Sequence, residues 1–118
     1  MNFFPVIELV DRLVIAKIKW HRTRLNAEEL DWYQQQAKHL DLEKISSHIA
    51  ELETIHNAIW ELEAALKSNQ EQNLSLEEIG RRAIDIRNLN NRRVRLKNQA
   101  AELLDCNVRE IKKDHLSQ

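Results

Sequence analysis

Residues 76–104, LEEIGRRAIDIRNLNNRRVRLKNQAAELL, place apolar side chains three and four positions apart for 29 residues without a proline. At roughly 100° per residue, such spacing aligns them along one side of a single α-helix. A rod of this kind, roughly 40 Å long at 1.5 Å per residue, is not stable alone and must bury its stripe against other helices. Ile79, Ala83, Ile86, Leu89, Ala100 and Leu104 form that stripe. Three strongly polar residues, Asn90, Arg93 and Lys97, share its sector at the i, i+3, i+7 spacing. The opposite side, with Arg81, Arg82, Asp85, Asn88, Arg92, Arg95 and Gln99, is an ordinary solvated face. A guanidinium, an ammonium and an amide turned toward a core are costly unless something meets them.

The remaining chain supplies helices for it to pack on. Pro5 opens a helix from about Val6 to Arg22. Its apolar face is Val6, Leu9, Val10, Leu13, Val14 and Ile18. Lys17 is expected in the middle of that face and Asp11 at its edge, with Glu8, Arg12 and Lys19 on the far side. Asn26 followed by Glu29 signals a second helix running to about Lys38, unless it continues the first after a kink. Asp41 is a candidate cap for a longer helix from about Leu42 to Lys67, with Ile45, Ile49, Leu52, Ile59 and Leu66 as its stripe. His48, His56 and Glu63 share that stripe and Trp60 borders it. Residues 68–73, SNQEQN, read as a polar loop. Ser75 with Glu78 is a capping box for the central helix, and Asn107 with Glu110 opens a short terminal one.

One glycine, one proline and an abundance of helix formers agree with an all-α chain, and no segment alternates with period two. The expected architecture is one domain, residues 1–118: an antiparallel bundle of three long helices plus one or two short ones. Charge is unevenly spread. Residues 26–63 carry nine acids against Lys38 and Lys44, whereas residues 76–100 carry seven basic residues against Glu77, Glu78 and Asp85. Such complementary segments suit helices lying side by side, or the matching edges of two subunits. The single cysteine, Cys106, excludes an internal disulfide. MNFFPVIELV is too short, and too soon followed by Asp11 and Arg12, for a signal peptide or a membrane span. A cytoplasmic homodimer without cofactor or metal is the expectation.

Lys17, then His56 and Glu63, then Asn90, Arg93 and Lys97 thus lie on faces that three helices would bury. Glu63 is expected to pair with Arg93 or Lys97, with Asp11 a possible second acid. That leaves a surplus of positive charge for an anionic ligand, a phosphate or carboxylate held by an arginine fork and a lysine point charge. Trp60 would provide a flat wall. The competing explanation is an interior ion-pair network that sets dimer register and binds nothing. A hydrolase or transferase acting on a phosphorylated substrate is a third reading, and whether the chain is an enzyme stays open.

Other chemistries find less support. Glu53 and His56 give one Glu-x-x-His element where a di-iron bundle needs two with further carboxylates. Glu51, Glu53, Glu61 and Glu63 offer half of the acidic pairing used by all-helical nucleotide pyrophosphohydrolases, but the central helix lacks the other half. Nucleic-acid binding through Arg81, Arg82, Arg92 and Arg95 is disfavoured by the absence of a stacking aromatic on that helix.

Three blocks, ELVDRLVIAKIK at 8–19, His56 to Trp60 with Glu63, and LNNRRVRLK at 89–97, resemble a small bacterial all-helical family that is a domain of unknown function. Its pattern reads E-L-x-D-K-L-x-I-L-x-I-K, then N-x-x-L-W-x-x-E-D, then L-N-x-x-R-x-x-x-K. The resemblance implies importance for Glu8, Asp11, Lys17, Trp60, Glu63, Asn90, Arg93 and Lys97. Two positions depart from the pattern: His56 stands where it has Asn, and Ala64 where it has Asp.

Overall fold

In a computed structural model, residues 5–67 and 74–104 are described. Pro5 is the cap residue of α1 (Val6–Thr23), its carbonyl accepting from the amides of Glu8 and Leu9. The helix ends at Arg24, which takes the left-handed conformation (φ 58°) while its N–H closes back on the Trp20 carbonyl. Side-chain geometry holds a non-glycine residue there. Thr23 Oγ1 donates to the Lys19 carbonyl and accepts from Leu25 N–H, and the Arg24 guanidinium lies 5.1 Å from the Trp20 ring centre. The first two helices are therefore separate, not one kinked rod.

α2 (Ala27–Ala37) starts where the Asn26 signal places it, but without the expected cap bond. Asn26 Nδ2 donates instead to the Ala16 carbonyl (2.9 Å) and to Glu29 Oε1 (3.1 Å), and Glu29 also takes Lys19 Nζ at 3.1 Å. Polar straps thus fasten α2 to α1, and no α2 residue is fully buried.

Asp41 Oδ1 accepts the Glu43 N–H, but Leu42 is the cap residue of a short 3-10 turn, Glu43–Ile45, and α3 (Ser46–Lys67) follows. Ser75 Oγ accepts the Glu78 N–H at 3.1 Å and starts α4 (Leu76–Leu103). The 68–73 loop, Cys106 and the terminal helix expected from Asn107 lie outside the described residues.

The expectation of an all-α chain holds: four helices pack together, with no strand among the described residues. None of the described helices is long and apolar enough to cross a membrane. Two apolar clusters hold α1, α3 and α4 together. One joins Val14 and Ile18 to Leu52, Ile55, Ile59 and Leu96. The other joins Ile7 and Val10 to Ile45, Ala100 and Ala101. Fully burying each large side chain is worth about 1.5–3 kcal/mol. Along α1 the two clusters are separated by one residue turned the same way: Asp11.

A buried charge junction and two flanking hollows

Asp11 is 3% exposed, between Val10 and Val14 of the two clusters, and both of its oxygens are used. Oδ1 lies 2.8 Å from His56 Nε2 on α3, and Oδ2 accepts from Arg93 Nη1 on α4 at 2.9 Å. Lys97, one turn beyond Arg93 and only 2% exposed, is 3.6 Å from Oδ2 and pairs closely with Glu8 Oε1. Three helices therefore meet at one carboxylate. Burial by itself would raise the Asp11 pKa. The His56 hydrogen bond and the charges of His56, Lys97 and Arg93 outweigh it and hold the group below its ordinary 3.8. Asp11 is thus an anion in the folded chain at neutral pH.

Of the eight expected site residues, Asp11, His56, Arg93 and Lys97 converge. Lys17 does not. It is exposed, and the expectation that it projects from the middle of the buried face is corrected. The reason is that α1 is buried on two sides. Ile7, Val14 and Ile18 face the core of α3 and α4, while Ala16 lies on the side strapped by Asn26. Averaging these two faces centres the stripe on Lys17, which lies in the gap between them. The same averaging pushed Asp11, which lies inside the core-facing sector, to the margin.

The pairing of Glu63 with Arg93 or Lys97 is likewise corrected. Asp11 and Glu8 take those cations, although Glu8 was expected on the far side. The junction holds two carboxylates and two fixed cations, so it has no surplus positive charge of its own. Asn90, one turn before Arg93, is partly buried. Glu63 and Trp60 lie farther along α3, beyond His56.

Two hollows flank the junction and share the half-exposed Ile15 as a ridge. The first, about 360 Å³, lies among α1, α2 and α4 and is lined by Arg12, Arg93 and Lys97 with Glu8, Asp11 and Glu29, and by Tyr33. The lining is thus three cations and three carboxylates, and Glu29 is also paired by Lys19. Arg12, expected on the far side of α1, and Tyr33 and Glu29 of α2 were not among the expected site residues. Arg93 spends Nη1 on Asp11, while its Nε is buried without a hydrogen-bond partner among the described residues.

The second hollow, about 220 Å³, is walled by Ile15, Ile18, Ile59 and Trp60, with His56 and Glu63 as its polar groups. No protein-family model matches this chain, and no curated protein or solved structure was found to match it.

Proposed function

We propose that the chain is a small-molecule-binding helical module that takes the phosphate or carboxylate of an anionic ligand in the larger groove. The observation that carries this reading is Arg93. One nitrogen of its guanidinium is fixed by Asp11, and the Nε/Nη2 edge of the same fork has no described partner beside a roomy polar groove. A phosphate or carboxylate in the groove would take the guanidinium N–H groups that Asp11 leaves, a charge-assisted contact. Asp11 pre-orients the guanidinium toward the groove that Arg93 lines. Asn90, Trp60 and Glu63 are not needed for this contact, and Lys17 is left out of it.

A thermal-shift series with inorganic phosphate, pyrophosphate and citrate, against sodium chloride at equal ionic strength, tests the proposal. A saturating anion at a hundred times its Kd should stabilise by about 2.7 kcal/mol. Arg93→Lys, which keeps the charge and removes the fork, should abolish most of that gain. Equal shifts with chloride, or shifts unchanged in Arg93→Lys, would overturn the reading.

A second reading has its own observation: both Asp11 oxygens are spent inside the chain, tying α3 and α4 to α1. On that reading the junction sets how the helices seat against one another, and the protein is an interaction module. The finer architectural and cellular readings are proposals of the same rank. They are the antiparallel bundle of three long helices, the homodimer, the cytoplasmic location and kinship with the bacterial family of unknown function. Light scattering on the purified chain separates dimer from monomer directly.

A further inference from the structure

The smaller hollow differs from the groove in charge and wall chemistry. Its sides are Ile15, Ile18, Ile59 and the Trp60 ring, and Glu63 is half-buried at it with no hydrogen-bond or ion-pair partner among the described residues. His56 is the other polar group, and its Nε2 is committed to Asp11. That leaves Glu63 as the hollow's uncommitted polar group, set against hydrocarbon and an aromatic ring.

We propose that this hollow is a binding site for a small organic cation, an amine whose ammonium meets Glu63 while its apolar body lies against Trp60 and the isoleucines. Three physical points favour a cation over an anion or a neutral ring. A carboxylate partly withdrawn from water beside apolar walls is stabilised most by an opposite charge brought into that low-dielectric margin. The Trp60 ring attracts cations through its π face. It already does so: the Arg22 guanidinium carbon lies 5.7 Å from the ring centre. Arg22 is itself neutralised by Glu61 at 3.3 Å and held by Asn57 at 3.0 Å, so it braces the ring without supplying Glu63's counter-charge.

Size narrows the class further. At about 220 Å³ the hollow falls below the roughly 300–1,000 Å³ of sites for larger ligands, and suits one ring or a short alkyl chain with a single ammonium. The site is separate from the anion groove and does not depend on it. Glu63 and Trp60 have no part in the Arg93 fork, and Arg93 does not line this hollow.

The probe is benzylamine, with benzyl alcohol and benzoate as neutral and anionic counterparts of the same ring. Binding is followed by the indole N–H resonance of Trp60 in ¹H–¹⁵N spectra, assigned with Trp60→Phe. Benzylamine should shift that resonance saturably, and benzyl alcohol and benzoate should bind at least tenfold more weakly. Glu63→Gln should weaken benzylamine at least tenfold. Glu63→Asp, which keeps the charge, should retain part of the affinity, and Lys17→Ala should leave it unchanged. No saturable shift with benzylamine would overturn the site. Equal binding of benzylamine and benzyl alcohol, or Glu63→Gln binding as wild type, would overturn the role given to the carboxylate.

Discussion

Replacing Asp11 by asparagine tests the junction most directly. The change preserves shape and removes one buried charge. It takes from Arg93, whose side chain is 17% exposed, the carboxylate it pairs with, while Lys97, at 2%, keeps Glu8. Breaking a buried ion pair from one side costs about 3–5 kcal/mol, mostly because the surviving charge stays buried. Two features place this case at the lower end. Lys97 keeps Glu8, and the asparagine amide oxygen can still accept from Arg93. A loss of about 3 kcal/mol is therefore expected at pH 7. For a chain of this length, that is a fall in Tm of roughly 10–15 °C, out of a total stability on the order of 6–18 kcal/mol.

The pH dependence supplies the signature. The pKa of Asp11 is depressed on folding, so the stability from its ionised form is present above the ordinary carboxylate range. It is lost as pH falls through the lowered folded value. Urea denaturation followed by circular dichroism should show wild type well above Asp11→Asn at pH 7, with the gap closing below about pH 4. A loss under about 1 kcal/mol at pH 7, the size of a surface ion pair, would refute the argument. So would a gap that does not narrow in acid.

Three further outcomes follow from local geometry. Gly80 sits inside α4 with nothing within 4 Å of where a Cβ would stand, so Gly80→Ala should raise stability by about 1 kcal/mol, read as a higher urea midpoint. Ser75→Ala removes the acceptor of the Glu78 N–H and should cost about 1 kcal/mol in the same assay. Lys17→Ala should change stability by less than about 0.5 kcal/mol and leave any phosphate-induced thermal shift intact, because the side chain is exposed. A large loss would return Lys17 to the interior.

How much of this was legible in the residues depends on how many neighbours each helix has. α4 buries one continuous sector through its second half, so Arg93 and Lys97 were placed inward correctly from spacing alone. For α3 the same periodicity found Leu52, Ile59 and the inward His56. α1 is different. It packs on α2 from one side and on α3 and α4 from another, and a helix buried on two sides has no single stripe for the spacing to find. That one misreading accounts for three errors together: Lys17 turned inward, Asp11 set at the margin and Glu8 assigned to solvent. It also explains the expected surplus of positive charge, since Glu8, which pairs with Lys97, was left out and Asp11, which pairs with Arg93, counted only as a possible second acid. The wheel of one helix states which residues share a direction, but not how many directions are covered. Only the placement of α2, fastened by Asn26 and Glu29 with no fully buried residue of its own, decides that for α1. Buried Lys97 and part-buried Arg93 call for carboxylates, and two acids of α1 supply them. Asp11, three residues before Val14 and four after Ile7, is the acid on that helix that shares the core-facing direction most closely.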